Sequence, residues 1–291
     1  MPRFYEPETL ARLQREELNI LKDFMAVCDR HRLTYFGIAG TGIGAKRHMG
    51  FIPWDDDIDV AMPRKDFERF LRYAEKELAD RYIPLNAAYD SRFPMMTTRL
   101  MKKGTVFIEE ALKDARCPCG IFLDLYVLDN VADNKIAYHL QAWEAWFFSK
   151  LLILRCMPKP FLYQTGRKAQ VIWGICYAVH HGLKLARISP AWLRQRCEAV
   201  CRRYEKKKTR RMAFLPDTSP YWNVIDKKKL YPLRKLKFED VTLNFPHNVE
   251  ELLTSQYGDY MKLPPVEKRK THYPWRLSFL KEDTHVYKTM R

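Results

Sequence analysis

The chain has 291 residues, of which 51 are Lys or Arg and 35 are Asp or Glu, so its formal net charge is +16. A content of 47% hydrophobic and 13% aromatic residues is typical of a folded protein and excludes a largely disordered chain. The positive charge favours polyanionic partners such as phosphorylated substrates, nucleic acid or anionic lipid headgroups, without choosing among them.

The N-terminus lacks an apolar segment followed by a small-residue cleavage site, so we expect no secretory signal and a cytoplasmic protein. No apolar run reaches the roughly 20 residues that a transmembrane helix needs. The seven scattered cysteines predict reduced thiols rather than a disulfide framework. The pairs Cys117/Cys119 and Cys197/Cys201 leave a zinc site open as the alternative to buried structural thiols.

In the first half of the chain, helical spacing of apolar residues predicts a helix over 8–30, and a strand is expected over 33–39. A glycine turn then leads into a short helix ending near His48. An acidic strand follows and ends at Pro63, before a helix over 64–78. The remaining strands predicted in this half cover 82–85, 95–101, 105–108 and the almost continuously apolar 121–128.

The second half opens with a helical pattern from 134 to 204, which ends in a basic run at 202–211. A strand is predicted over 241–245, followed by a helix from Asn248 with Glu251 completing a capping box. These patterns divide the chain into a catalytic core at 1–133, a helical insert or subdomain at 134–215, and a C-terminal segment at 216–291 that completes the catalytic domain.

The most informative segment is the acidic strand, which has four aspartates within five positions, at 55, 56, 57 and 59. Alternation along a strand puts Asp57 and Asp59 on one face and Ile58 and Val60 on the other. Side chains two positions apart lie about 6.6 Å apart along the strand, so both carboxylates can converge on hard cations. We therefore predict a Mg²⁺ or Mn²⁺ site of the kind used in phosphoryl transfer.

Asp124, the carboxylate in the middle of the apolar strand, is the best candidate for a third member, as a ligand or as the base that takes a proton from the acceptor. Asp129 is the second choice. The alternative for Asp124 is a buried aspartate that is merely satisfied by backbone N–H groups or by an arginine.

Further residues are candidates for contact with phosphate or substrate. Gly40, Thr41 and Gly42 are expected to cradle phosphate oxygens at the start of a helix. Trp54 is interpreted as a packing residue rather than a substrate platform. Basic residues further along, which contact phosphate or lie on a solvated strand edge, are Arg99, Lys102 and Lys103.

The basic run at 202–211 is interpreted first as a solvated helix end. Binding to an anionic membrane or a glycolipid acceptor comes second, and nucleic acid comes third because the aromatic signature of RNA-binding strands is missing.

Two segments together resemble the LicD family. The first is Gly40-Thr41 with residues 44–48 and 50–59, and the second is 257–265 followed by Lys268, Arg269 and His272. The helical stretch from about 134 to 215 matches no motif. The sequence departs from the family pattern at Gly42-Ile43 and at Lys46. These departures affect the expected helix packing and the identity of the transferred alcohol, but not the aspartates.

This resemblance implies an α+β, nucleotidyltransferase-like fold related to polymerase beta, with a mixed sheet flanked by helices. It also implies transfer of phosphocholine or a similar phospho-alcohol from a CDP-linked donor, as in the similar fukutin-type ribitol-phosphate transferases. CDP-choline is the favoured donor, and the acceptor is a sugar of a cell-surface glycan or glycolipid such as lipopolysaccharide, teichoic acid or capsule.

Position by position, the resemblance implies that Asp57, Asp59 and Asp124 are the catalytic residues and metal ligands. It also implies that Asp55 is a further ligand. Arg47 and His48 stand near the donor diphosphate, and Arg269 and His272 close over it from the C-terminal side. Two other functions remain open: a nucleotidyltransferase that adds NMP to RNA or a small acceptor, and a non-catalytic scaffold at a membrane surface. Peripheral membrane association is left open, and nucleic acid is not expected as a partner.

Overall fold

A mixed seven-stranded sheet forms the centre of the molecule. The computed structural model describes residues 5–162, 165–269 and 271–279. The strands, in chain order, are β1 (Phe36–Gly37), β2 (Asp59–Pro63), β3 (Tyr82–Leu85), β4 (Thr98–Lys102), β5 (Val106–Glu109), β6 (Phe122–Asn130), β7 (Arg211–Phe214), β8 (Asn223–Asp226), β9 (Arg234–Phe238), β10 (Val241–Phe245) and β11 (Pro274–Ser278).

In the central sheet the strand order is β1-β2-β6-β4-β3, with β7 paired to the far end of β6 and β8 paired to β7. Strands β2 and β6 are parallel, and the other pairs are antiparallel. Two small antiparallel sheets, β9 with β10 and β5 with β11, complete the strand pairing. The mixed α+β architecture expected from the sequence is confirmed.

Helices cover the sheet and form the middle of the chain. They are α1 (Pro7–Arg30), α2 (Ala39–Arg47), α3 (Arg64–Glu77), α4 (Lys135–Cys156), α5 (Gly166–Leu185), α6 (Pro190–Cys201), α7 (Lys227–Leu230) and α8 (Val249–Tyr257), with 3₁₀ turns at Glu110–Ala115, Arg202–Tyr204 and Val266–Lys268. Within the described residues, none of these helices is long and apolar enough to cross a bilayer.

The largest core lies between the sheet and helix α1. Leu13, Ile20 and Phe24 of α1 are fully buried there, together with Ile58 and Val60 of the acidic segment. Each such side chain contributes roughly 1.5–3 kcal/mol by leaving water. Burial of one face of the acidic segment in this core fixes the position of the carboxylates on its other face.

The acidic strand is shorter than predicted. It begins at Asp59, and the aspartates at 55–57 lie in the loop before it. The backbone turns there, since Asp55 N–H donates to the carbonyl of Ile52 at 2.8 Å, and the turn directs adjacent carboxylates to different partners. The strand expected over 33–39 is likewise reduced to Phe36–Gly37, which pairs with only two residues of β2.

The capping box predicted at α8 is wrong. The helix begins where expected, at Val249, but the Asn248 side chain caps no backbone N–H. Its backbone has φ −97° and ψ 51°, not the extended conformation that aims a cap side chain into the first turn. The amide instead donates to the Glu251 carboxylate at 3.3 Å.

Helices α4 to α6 occupy the predicted insert. Strand β7 was not predicted; its residues fall at the end of that insert and pair with β6, so the central sheet continues into this part of the chain. The division into three parts remains a prediction. All seven cysteines are free thiols and six are buried, and no cysteine belongs to a candidate metal cluster among the described residues.

Candidate active site

The glycine segment is helical rather than a turn. Gly40, Thr41 and Gly42 all lie in the first turn of α2, after Ala39 in a left-handed conformation (φ 49°). The Thr41 hydroxyl accepts the backbone N–H of Asp59 at 2.8 Å, so α2 holds the start of β2 in place.

Close packing explains why glycine occupies two positions of this turn. A Cβ on Gly40 would lie 2.8 Å from Oδ2 of Asp55, so glycine permits the close approach of that carboxylate to the helix N-terminus. Gly42 is buried, and a Cβ there would lie 3.3 Å from Leu253 of α8. The structure therefore gives Gly42 a place between two helices, whereas the sequence predicted a phosphate contact.

The three predicted catalytic carboxylates lie together. Asp59 and Asp124 are paired residues of the parallel strands β2 and β6, and Asp57 precedes β2 by two positions on the same face. One oxygen from each of the three carboxylates lies within 4.8 Å of the other two. The parallel register of β2 and β6 is the feature that brings together side chains 65 positions apart in sequence.

This cluster fits a divalent cation. Oδ1 of Asp59 is buried and has no hydrogen-bond partner, an arrangement that costs free energy unless another group satisfies the oxygen. Three carboxylate oxygens at this spacing are the hard ligands that Mg²⁺ and Mn²⁺ prefer. Asp55 belongs to neither candidate metal cluster among the described residues, and its carboxylate lies against Gly40 instead.

Burial raises the pKa of these carboxyl groups. The pKa of Asp57 is raised to about 6 by burial, although nearby His272 acts in the opposite direction. The pKa of Asp59 is well above its usual range because of burial and the neighbouring charges of Asp57 and Asp124. Burial also raises the pKa of Asp124, despite its pairing with Arg99. Burial thus disfavours the charged form of all three carboxyl groups, and a bound cation would offset that cost.

Arg99 of β4 is the cationic partner of the cluster. Its Nε donates to Oδ1 of Asp124 at 3.2 Å, and its Nη2 lies 3.0 Å from a carboxylate oxygen of Glu109. The guanidinium is buried and stacks on the Phe122 ring at 3.7 Å. Asp124 therefore pairs with an arginine and also lies in the acidic cluster.

Asp129, the second choice for the third carboxylate, lies away from the cluster and is paired with Arg64. Both oxygens of Asp129 accept hydrogen bonds from Arg64, at 2.9 and 2.6 Å, five positions further along β6. Lys102 pairs with Glu16 on α1, and Lys103 donates to the carbonyl of Ala79. Each of these two lysines thus has a partner in the fold, and Lys103 is exposed to solvent.

The C-terminal motif meets the acidic loop. The backbone N–H of His272 donates to Oδ1 of Asp56 at 2.8 Å, and its Nδ1 lies 3.2 Å from Oδ2 of Asp57. The adjacent charge of Asp57 raises the pKa of His272 well above its usual value. Asp56, Asp57 and His272 form a second group with metal-ligand spacing, and Asp57 belongs to both groups.

Arg47 and Arg269 meet at Trp54. The guanidinium of Arg269 stacks over the Trp54 ring at 4.2 Å, and that of Arg47 lies 6.0 Å from the ring centre. Arg47 also donates to the carbonyl of Tyr260 and to the His48 ring, the latter at 2.9 Å. Burial and Arg269 lower the pKa of Arg47. Two guanidiniums beside the acidic loop form a cationic position suited to phosphate oxygens.

Two residues of the site were not predicted. Glu17 of α1 is fully buried beside the acidic loop, and neither carboxylate oxygen has a hydrogen-bond partner. Its pKa is well above the usual range because of burial and the charges of Asp57, Asp56 and Asp55. Tyr5 donates to Oδ2 of Asp56 at 2.6 Å. A sequence signal for Glu17 existed, since it lies four positions from both Leu13 and Leu21 on the apolar face of the helix.

Three of the seven Lys and Arg residues in the basic run at 202–211 are paired with carboxylates, among them Arg210 with Asp226. Arg202 pairs with Glu68 and Glu205, and Arg203 pairs with Glu144. The run therefore presents fewer free cations than its sequence indicates.

Comparisons with known proteins agree with the two motifs. A model of the family described as LicD/FKTN/FKRP, nucleotidyltransferase domain, matches residues 32–104, which include α2, the acidic loop and β2. A protein of Haemophilus influenzae, the lipopolysaccharide cholinephosphotransferase LicD, is 29% identical over 274 residues, which cover 91% of this chain and 96% of the relative. The chain is similar to the LicD family over this segment, and to the Haemophilus relative over most of its length. The prediction of a LicD-type transferase is confirmed, and the family model covers the first of the two motifs.

Proposed function

We propose that this protein transfers phosphocholine, or a closely similar phospho-alcohol, from a CDP-linked donor to a sugar hydroxyl of a cell-surface glycan. The observation that carries the proposal is the cluster of Asp57, Asp59 and Asp124 on adjacent strands, with an unsatisfied Asp59 oxygen inside it. The Haemophilus relative, whose name specifies cholinephosphate and lipopolysaccharide, supports the choice of alcohol and of glycan class. Teichoic acid and capsule are the other glycans of the class.

In this proposal Asp57, Asp59 and Asp124 hold Mg²⁺ or Mn²⁺. A bound divalent cation neutralises charge on the transferring phosphoryl group and on the leaving phosphate. Asp124, held by Arg99, stays in place as a ligand or accepts the proton of the attacking sugar hydroxyl. The first step breaks the bond between the two phosphates of the donor, so the products are CMP and the phosphocholine ester of the sugar.

Arg47 and Arg269 are proposed to bind the donor diphosphate, with Gly40 and Thr41 at the N-terminus of α2 on its other side. His48 supports Arg47 through their hydrogen bond, and His272 positions Asp57. A nucleotidyltransferase-like fold suits these roles, because its parallel strand pair carries the acidic residues. The same arrangement suits work in the cytoplasm at the inner face of the membrane, where a lipid-linked glycan is assembled.

The leaving group distinguishes this function from its main rival. Purified protein with Mg²⁺ or Mn²⁺ and crude cell-surface glycan is incubated either with a panel of CDP-linked alcohols or with the four NTPs. We expect CMP from CDP-choline and no pyrophosphate from any NTP. Pyrophosphate release would show a nucleotidyltransferase instead, and silence in both arms from folded protein that binds neither cation would leave the non-catalytic scaffold.

A further inference from the structure

Helix α5 has one exposed apolar face that the fold does not cover. Ala169, Cys176 and His180 form its buried side, which packs against α4, and His180 is fixed there by its bond to the Leu154 carbonyl at 2.7 Å. The opposite side presents residues spaced four, three, four and three positions apart, which is one face of a helix: Val171, Ile175, Ala178, Gly182 and Leu185.

The apolar side chains of this face are highly exposed for a folded domain. Val171 is 64% exposed, Ile175 is 60% exposed and Leu185 is 87% exposed. Helix α4 carries a similar stripe, in which Ile136, Leu140, Trp143 and Phe147 are each more than half exposed. Each helix therefore exposes an apolar face that water solvates poorly.

The charge pattern of the same region identifies the partner. From residue 145 to residue 197 the chain contains nine Lys or Arg and no Asp or Glu, although 35 acidic residues occur in the whole chain. Six of these cations are exposed, and none is paired with a described carboxylate: Lys159, Arg167, Lys168, Lys184, Arg187 and Arg196.

Apolar residues flanked by cations, without acidic residues, match the physical requirements of an anionic bilayer surface. An interfacial helix inserts its apolar face at the boundary between headgroups and acyl chains, while Lys and Arg remain among the headgroups. Arg167 and Lys168 lie at the start of α5 on either side of the apolar face, and Lys184 lies at its end. A second copy of the chain would bring the same cations against this face and be repelled, whereas anionic headgroups attract them.

We propose that α5 lies in the surface of an anionic phospholipid membrane and anchors the protein there. The surface is separate from the acidic cluster, and the proposal does not depend on which group the enzyme transfers. Its contribution is to hold the protein at the membrane, where a lipid-linked acceptor is located.

Flotation of the full-length protein with vesicles tests this. Vesicles of phosphatidylcholine alone are compared with vesicles of phosphatidylcholine and phosphatidylglycerol in equal parts. We expect strong binding only to the anionic vesicles, weakened by high salt. Asp59→Asn, which alters the acidic cluster, should bind vesicles as the unmodified protein does, so membrane docking and catalysis are tested separately.

Charge and apolar contributions are separated by matched variants. Arg167→Gln/Lys168→Gln should weaken binding to anionic vesicles about 30-fold, since each cation near the surface contributes about 1 kcal/mol. The control Arg72→Gln/Lys76→Gln removes the same charge from exposed positions on α3 and should leave vesicle binding within about twofold. Ile175→Gln/Leu185→Gln should weaken it at least about tenfold, whereas the control Tyr89→Gln, which also removes an exposed apolar side chain, should not.

Three results would overturn the proposal. They are no binding to anionic vesicles, equal loss of binding in the α5 variants and their controls, and a stable dimer that Ile175→Gln/Leu185→Gln converts to monomer without any vesicle binding. The last result would assign the face to a second copy of the chain. Sedimentation of each variant provides this measurement and also shows that the variants remain folded.

Discussion

Asp59 carries a free energy cost as well as its proposed function. Its carboxylate is buried beside Asp57 and Asp124, and one oxygen has no partner. Because its pKa is raised in the folded state, deprotonation as the pH rises lowers the stability of the cation-free protein. An amide at this position has no charge to neutralise and can donate to a neighbouring carboxylate.

We therefore predict that Asp59→Asn stabilises the cation-free protein by about 1–2 kcal/mol at pH 8, or roughly 2–8 °C in Tm. At pH 5 the gain should be smaller, because the raised pKa leaves a larger fraction of Asp59 protonated, and so uncharged, at the lower pH. Thermal unfolding in EDTA at the two pH values measures this. A lower Tm for Asp59→Asn at pH 8 would mean that the carboxylate has a stabilising partner.

Arg269 should affect donor binding more than the chemical step. Its guanidinium stacks on Trp54 beside Arg47, away from the three clustered carboxylates. We predict that Arg269→Gln raises the KM for CDP-choline about tenfold with little change in kcat, since one charge-assisted contact to phosphate contributes about 1.5–3 kcal/mol. Arg276→Gln, at an exposed position on β11, is the control. Equal losses of kcat in both variants would assign the effect to the fold.

Residue chemistry made some of these positions predictable. Four aspartates in five positions indicated a cation site, and a carboxylate inside an apolar strand indicated Asp124. The pairing of Arg99 with Glu109 could not be predicted, because it depends on the distance between β4 and β5 in space. Glu17 was overlooked for a different reason. A single charged residue on the apolar face of a helix does not indicate a site by itself, and only the packing of α1 against the acidic loop places Glu17 beside the aspartates.

At the scale of elements, α2 depends on glycine for its close packing. A Cβ on Gly44 would lie 2.3 Å from the backbone carbonyl oxygen of Gly50, which cannot rotate away. On Gly42 it would meet only the flexible side chain of Leu253, at 3.3 Å. These two positions lie about half a turn apart in the same helix, and both are buried.

Gly44→Ala is predicted to destabilise the protein by at least about 3 kcal/mol, because α2 must move away from the 50–52 segment. Gly42→Ala should change stability by no more than about 1 kcal/mol, since better helix propensity offsets the small displacement of Leu253. Urea unfolding of the two variants gives the comparison. If both variants lost the same stability, the close contact with Gly50 would not be the cause.

Element type followed from the sequence more reliably than element boundaries. Strands β3 and β10 have the predicted bounds, and α3 ends one residue early. The predicted start of the acidic strand was wrong. The alternation of apolar and acidic residues continues through Asp57 and Ile58, but these residues lie in a loop whose turn depends on tertiary contacts. Strand β7 was missed because its four residues are recognisable only through their pairing with β6.

At the scale of the whole molecule, cation binding should stabilise the protein in a pH-dependent way. The pKa of Asp57 is raised to about 6, and those of Asp59 and Asp124 are also raised, so these carboxyl groups hold protons that a cation must displace. Deprotonation becomes easier as the pH rises, and cation affinity rises with it. The folded protein should therefore gain more from the same cation concentration at pH 8 than at pH 6.

We predict that Mn²⁺ at about 100 times its Kd stabilises the protein by about 2.7 kcal/mol. At the same Mn²⁺ concentration the rise in Tm should be larger at pH 8 than at pH 6, and it should disappear in Asp59→Asn. Differential scanning calorimetry with and without EDTA measures the shift. A shift of equal size in Asp59→Asn would locate the cation elsewhere.

The resemblance to the LicD family could be recognised because two motifs far apart in sequence carry it. Their contact explains why both are needed, since His272 of the second motif bonds to Asp56 of the first. The exposed face of α5 could not be predicted in the same way. Its apolar spacing is equally typical of a core helix, and only the structure distinguishes the buried side from the open one.

The central claim is that the Asp57, Asp59 and Asp124 cluster holds the cation that phosphoryl transfer requires. The most direct measurement is CMP release from CDP-choline over a Mn²⁺ titration, with glycan acceptor, for the unmodified protein, Asp59→Asn and the exposed control Asp80→Asn. We expect saturable, cation-dependent release that falls about 10³-fold in Asp59→Asn and is unchanged in Asp80→Asn. Release that is independent of the cation, or that survives in Asp59→Asn, would contradict the account.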